Sequence, residues 1–251
     1  MGLIGGRVGY EILKRIAPTG ESSNMDGSAY ANKSKLEVLL GPHFWSEARD
    51  RVVIDFGCGA GAETVEIATH GARRVIGVDI QEALLTLARD NAARAGVADR
   101  CTFSVQPTEP ADLIVAIDSF EHFSDPTAIL RTMRSMLKPD GCVIASFGPT
   151  WYHPFGGHLF SVFPWAHLLF TEAALVRWRS DFKTDNATRF SEVAGGLNQM
   201  TIKRFEQIVA SSPFKFERLE LIPIRRLQQF ANRLTREATT AIVRCKLVPR
   251  A

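Results

Sequence analysis

Apolar residues in this chain fall into two kinds of run. Short, nearly unbroken runs lie at 52–56 (VVIDF), 74–78 (RVIGV), 112–118 (DLIVAID) and 142–147 (CVIASF), with a weaker one at 100–105. Between them, apolar residues recur every three or four positions over 63–70, 82–95 and 126–137. The first kind predicts strands that are apolar on both faces, and the second predicts helices that cover them. Strands alternating with helices predict right-handed crossovers and a doubly wound, mostly parallel α/β sheet. Lys138-Pro139-Asp140-Gly141 predicts a turn between the helix ending at 137 and the strand starting at 142. Outside this block the pattern predicts helices at 10–16, at 34–40 (stopped by Gly41 and Pro42), at 172–179, and at 202–210 with Thr201 as cap. The stretch 18–27 is turn-rich. Strands are expected at 214–224 and 239–248, joined by a basic helix.

The sharpest local signal is VVIDFGCGAG at 52–61. A buried strand runs into Gly57, Gly59 and Gly61, and a helix starts near Glu63. Glycines allow a tight turn with backbone angles closed to other residues, and they let a ligand approach bare backbone. The free N–H groups of the next helix point at the same place, the crevice beyond the carboxyl ends of the strands. Gly57, Gly59 and Ala62 also satisfy the G-x-G-x-x-G/A dinucleotide fingerprint, so a nicotinamide oxidoreductase is one reading. Asp55 opposes it, because a carboxylate two residues before the first glycine repels a pyrophosphate and suits an ammonium or hydroxyl. The following strand ends in Asp79, placed to accept two ribose hydroxyls.

Asp55, the glycine turn and Asp79 together resemble the first two motifs of the class I S-adenosylmethionine-dependent methyltransferases. EHFSDP at 121–126 and LKPDG at 137–141 extend the likeness, which covers 52–147 well and the tail loosely. The resemblance implies a Rossmann-like sheet completed to seven strands, one of them antiparallel, with helices on both faces. It also implies S-adenosyl-L-methionine as cofactor and S-adenosyl-L-homocysteine as product. Asp55 and the turn of Gly57, Cys58, Gly59 and Gly61 would face the methionine part. Asp79 would hold the ribose, Ile80 would pack on the adenine, and Asp118 and Ser119 would line the floor near the sulfonium. Many members carry an acidic residue after strand three for the adenine amino group. Here the segment is FSVQPTEP, and Gln106 is the substitute able to accept that hydrogen bond.

The segment 148–172 after strand five is an unusual insert. It holds Trp151, Tyr152, Trp165, His153, His158, His167 and several phenylalanines, and it is expected to form an aromatic lid over an apolar or ring-shaped substrate. A secondary core or a homodimer interface is the alternative. His122, His153 and His158 are the candidate bases, since imidazole titrates near neutral pH. Each could instead brace a loop or pack. Asp118, Glu121 and His122 resemble the D/E-x-x-E-H pattern linked to a divalent metal in quinone O-methyltransferases, yet EH followed by DP also occurs as a loop brace, and no metal is assigned.

These readings divide the chain into an N-terminal helical cap (1–45), a cofactor-binding core (46–148), a lid insert (149–197) and a C-terminal part of the sheet (198–251). Four separated cysteines without a C-x-x-C pair suit reduced, buried thiols and a cytoplasmic location. No secretory signal pattern and no membrane span is read in the sequence. A net charge of +3 and the lack of a basic stripe interleaved with aromatics argue against nucleic acid. Arginines gather late in the chain, at 218, 225, 226, 233, 236 and 244. The simpler reading is a solvated face, the other an anionic substrate or partner. The expected activity is methylation of a small molecule, on oxygen, by in-line displacement. The alternatives are the oxidoreductase and a non-catalytic binding protein that keeps the fold.

Overall fold

The computed structural model describes residues 2–20, 33–193 and 195–250. From residue 21 on, the turn-rich stretch expected at 18–27 lies outside them. Seven strands form one sheet: β1 (Val52–Phe56), β2 (Arg74–Val78), β3 (Cys101–Ser104), β4 (Ala111–Ile117), β5 (Leu137–Phe147), β6 (Phe214–Pro223) and β7 (Thr240–Pro249). Their order is β3-β2-β1-β4-β5-β7-β6. The pairs among β1 to β5 are parallel, and β7 runs antiparallel to both of its neighbours. The order reverses between β1 and β4, which opens a crevice at their carboxyl ends.

Successive residues of each strand point to opposite faces, and the apolar runs therefore fill two layers. Ile54, Ile76, Ile114 and Phe147 pack with α6 (Pro126–Met136) and α9 (Ile202–Ala210) through Leu130, Met133, Phe205 and Val209. Val53, Val75, Leu113 and Val115 pack on the other face with α2 (Lys35–Leu40), α3 (Phe44–Ala48), α4 (Ala62–Thr69) and α5 (Glu82–Arg94). Ser34 caps α2, Asp125 caps α6 and Thr201 caps α9, each side chain accepting a backbone N–H three residues on.

A third apolar cluster lies apart from the sheet. It joins Leu13 of α1 (Gly6–Ile16) to Phe160, Phe170, Leu175, Trp178 and Phe190 of the insert, which carries α7 (Ala166–Leu169) and α8 (Glu172–Arg179). Ile4 pairs with Phe170 as an isolated parallel bridge, and the Trp178 indole N–H donates to Ala17 O at 2.8 Å. The first forty-five residues thus split: α1 belongs with the insert, and α2 lies on the sheet.

Two local expectations differ from the structure. β5 begins at Leu137 rather than after a turn at 138–141, with an irregular register between Ala111 and Leu113. Asp112 holds this start, taking Lys138 Nζ at 2.7 Å on one oxygen and Val52 N–H at 2.9 Å on the other. The connection from β6 to β7 is a 3-10 run, Arg225–Phe230, and the short α10 (Arg236–Thr239), not one helix. Asn232 breaks it, because its side-chain oxygen accepts the N–H of Leu234 and of Thr235.

Candidate active site

The glycine turn connects β1 to α4 with positive φ at Gly57 (84°), Gly59 (52°) and Gly61 (79°). The three have different surroundings. A Cβ on Gly61 would lie 2.8 Å from Ala88 Cβ, so that glycine lets α5 pack close. A Cβ on Gly57 or Gly59 would meet nothing within 4 Å, and their open faces leave room for a ligand against bare backbone.

Asp79, one residue past β2, accepts the N–H of Gly59 on one carboxylate oxygen (3.0 Å) and the N–H of Gln81 on the other (2.9 Å). These two bonds fix the carboxylate and leave lone pairs for hydroxyl groups. Asp79 lines a cavity of about 940 Å³ together with Gly57, Ile80, Gln106, His122 and Phe123. Ile80 is 87% exposed, an apolar side chain laid open at the cavity wall.

The remaining predicted residues lie off this cavity. Asp55 is turned inward: it is 3% exposed and accepts the Thr64 hydroxyl at 2.6 Å, because the first turn of α4 brings Thr64 back over the strand end. Burial, with Glu63 nearby, pushes its carboxyl up to about 7. Cys58 is buried, and a Cβ on Gly77 would lie 2.9 Å from its sulfur. Burial, reinforced by Asp55 and Asp79, raises the thiol to about 12. Ser119 is buried, with no partner for its hydroxyl among the described residues. Asp118, at φ 47°, pairs with Lys35 Nζ at 3.1 Å, and Glu63 takes the same ammonium at 3.2 Å. Asp118 and Glu63 hold the Lys35 ammonium above its ordinary value despite the opposing effect of burial.

The loop after β4 carries the insert on both stems. Glu121, 2% exposed, accepts Gly148 N–H at 3.3 Å where the insert begins. Its carbonyl accepts Asn198 N–H at 2.9 Å where the insert ends, and the Asn198 amide donates to Phe120 O and Phe123 O, each at 2.7 Å. Burial, with Asp118 adding repulsion, raises the Glu121 carboxyl to about 8, so it is largely protonated at neutral pH. His122 Nδ1 lies 2.8 Å from Gly196 O. A carbonyl only accepts, so this bond assigns the proton to Nδ1 and leaves Nε2 as the acceptor of the ring.

Three further imidazoles lie in the insert. His158 stands edge-on to His122 with centroids 5.4 Å apart, and its Nε2 is buried without a partner among the described residues. His153 Nδ1 accepts Phe155 N–H at 2.9 Å, which puts the proton of the neutral ring on Nε2. Burial lowers both rings to about 4; His122 and His167 add to the effect at His158, and His167 at His153. His167 is held on both sides, by Trp151 O at 2.7 Å and the Ser161 hydroxyl at 2.8 Å. Among the described residues no three His, Cys, Asp or Glu side chains converge as metal ligands.

Comparison with known proteins adds the decisive observation. A methyltransferase-domain family model matches residues 13–207, spanning the sheet core, the glycine turn and the insert. The chain belongs to the class I S-adenosylmethionine-dependent methyltransferases. Over 106 residues it is 34% identical to the ribosomal protein L11 methyltransferase of Vibrio parahaemolyticus, a match covering 41% of this chain and 36% of that one. Over 108 residues it is 36% identical to the ubiquinone biosynthesis O-methyltransferase of Neisseria meningitidis, covering 40% and 45%. The methyltransferase chain thus spans less than half the length of these curated relatives. Among solved structures, the magnesium protoporphyrin IX methyltransferase of Synechocystis PCC 6803, with bound S-adenosylmethionine, aligns over 97% of this chain and 92% of its own at 16% identity and TM-score 0.53. A methyltransferase from Aquifex aeolicus aligns over 90% and 100% at 12% identity and TM-score 0.53. These likenesses speak to the methyltransferase fold.

The residues present fit the family cofactor. The open faces of Gly57 and Gly59 adjoin a carboxylate with spare lone pairs and an exposed apolar side chain, which suits a ligand with hydroxyls and a flat ring. Sequence reasoning missed Lys35, Thr64 and Asn198. The first two act through tertiary partners on other elements, and Asn198 works through its side-chain amide, so none carries a local signature.

Proposed function

We propose that this protein transfers the methyl group of S-adenosylmethionine to an oxygen atom of a small molecule held between the His122 loop and the aromatic insert. When bound, the cofactor supplies a methyl group activated by a positive sulfur. Asp79 would accept the ribose hydroxyls, Ile80 would cover the adenine and Gln106 would meet its edge. The Gly57–Gly59 backbone and Lys35 would hold the amino-acid end, the ammonium facing its carboxylate. Asp118 and Ser119 would form the floor.

The observation that carries this reading is the His122 ring. Its Nδ1–H is engaged by Gly196 O, Nε2 is the remaining acceptor, and the ring lines the same cavity as Gly57 and Asp79. A neutral imidazole so oriented takes a proton from a hydroxyl as the oxygen attacks. His153 has its ring acceptor already occupied, and His158 packs edge-on against His122 with its Nε2 buried and does not line the cavity, so we assign them to orienting and drying the site. Support for an oxygen acceptor also comes from the Neisseria O-methyltransferase relative. The L11 methyltransferase relatives favour a second reading, in which the acceptor is a protein. An insert fastened at both stems to the loop carrying His122 favours a compact acceptor instead.

The test is His122→Gln. Turnover with phenols, quinols and hydroxy acids should fall by about 10²–10⁴-fold, while S-adenosylhomocysteine affinity by calorimetry stays as in the parent. Equal loss of cofactor affinity would make His122 a cofactor residue. Transfer to L11-type protein substrates, with none to small molecules, would establish the second reading.

A further inference from the structure

We infer that the β6–β7 connection, residues 224–239, is a docking surface for an anionic lipid bilayer. From 221 to 236 the sequence LIPIRRLQQFANRLTR holds four arginines and no acidic residue. Leu234 is 94% exposed and Phe230 56% exposed, while Arg225, Arg226 and Arg233 are exposed and form no ion pair among the described residues. Large apolar side chains that stay in water beside unpaired cations call for a partner offering both apolar contact and negative charge.

The connection is built rather than loose. Its ends meet through Ile224 N–H to Thr239 O at 2.8 Å. Its apex is tied by the Thr235 hydroxyl donating to Phe230 O at 2.6 Å and by the two N–H bonds on Asn232. Its base is clamped to α9, where Arg236 makes two 2.6 Å bonds to Glu206 and Glu237 accepts the N–H groups of Ile202 and Lys203. The apolar tips are therefore presented, not frayed. A cavity of about 340 Å³ adjoins the connection, lined among others by Asn232, Arg233, Arg236 and Thr240, and Arg233, without an ion pair among the described residues, is the cation it offers to a phosphate group.

Position agrees with this role. β6 runs parallel to β5, so the connection leaves the sheet at the same edge as the insert. A nucleic acid would use the arginines and leave Leu234 and Phe230 in water. A protein partner would need a matching apolar pocket. A bilayer takes arginines at its headgroups and leucine and phenylalanine at its acyl boundary without shape matching.

The experiment is flotation of the full chain, without cofactor, on vesicles of phosphatidylcholine alone or mixed with phosphatidylglycerol. Binding should be more than about tenfold stronger on the anionic vesicles and weaken with salt. Replacing Arg225, Arg226 and Arg233 together by Gln should lower it by about 10²-fold. Leu234→Asp should remove it, and at this exposure the change leaves the thermal transition where it was. Equal binding to both vesicles, no binding at low salt, unchanged binding by Leu234→Asp, or retention on an RNA homopolymer in place of the vesicles would overturn the inference.

Discussion

Burial shifts ionisable groups at the strand ends and in the insert toward their neutral forms by opposite chemistry. At the ends of β1 and β4, burial lifts Asp55 to about 7 and Glu121 to about 8. In the insert, burial lowers His153 and His158 to about 4. The first region carries acids that hold protons, and the second carries bases that have lost them. The contrast teaches that Glu121, His153 and His158, buried around the stems and interior of the insert, carry little charge near neutral pH, whereas Asp118, Lys35 and Glu63 at the same strand ends form an ionic cluster. Burial of this kind strengthens the electrostatic effect of any charge brought near it.

The largest effect is expected at the apolar support of the insert. Trp178, on α8 and buried with Leu13 of α1 in the cluster of the insert, belongs to neither cluster of the sheet. Trp178→Ala should cost about 3–5 kcal/mol in that cluster. Hydrogen exchange should speed up in α1, α7 and α8 and stay slow in β1, β4 and β5. Uniform exchange loss would mean that the insert and sheet unfold as one unit.

The folded pKa of Glu121 lies above its ordinary 4.5, so the folded state binds the proton more tightly. Its contribution is complete below about 4.5 and is lost as pH rises to about 8. Glu121→Gln keeps an acceptor for Gly148 N–H and removes the titration, so it should flatten stability across that window and gain a few kcal/mol above it. His158 has the reverse sign. Its folded pKa is depressed from 6.5 to about 4, so stability is present above 6.5 and lost as pH falls through that window. His158→Asn should protect the insert selectively at acid pH. Denaturation midpoints measured from pH 4 to 9 check both variants, and parallel curves for parent and variants would remove the contrast.

A smaller effect is expected at the cofactor wall. Asp79→Ala removes an acceptor that two backbone N–H groups hold in place. S-adenosylhomocysteine affinity should fall by more than about tenfold, roughly 1.4 kcal/mol. Unchanged affinity in calorimetry would remove Asp79 from the ribose site.

The two regions also differ in how far they could be read from sequence. The sheet was legible because each strand declares itself by a local apolar run, and the glycine turn because backbone angle restricts residue choice on the spot. β2, α8 and α9 fall on the expected bounds, 74–78, 172–179 and 202–210. Asp55 was legible as a strand-end carboxylate but not as one facing inward, since Thr64 turns it and a partner nine residues on is set by how the helix docks. The insert was legible as aromatic and not as a core shared with α1, because that pairing depends on residues far apart in the chain. The orientation of His122 rests on a backbone carbonyl, Gly196 O, and a carbonyl has no residue signature at all.

The pairing of α1 with α8 has a kinetic consequence. The indole of Trp178 and the carbonyl of Ala17 are 161 positions apart, and Tyr10 and Asp181 are 171 apart. Closing so long a loop is entropically costly when the intervening chain is flexible. Once the sheet has folded, its ordered mass replaces that flexible loop and brings the two helices near each other. The insert should therefore be the last part to acquire protection during refolding, and α1 should wait for it as an exposed amphipathic helix, open to chaperones and to proteases in the interval.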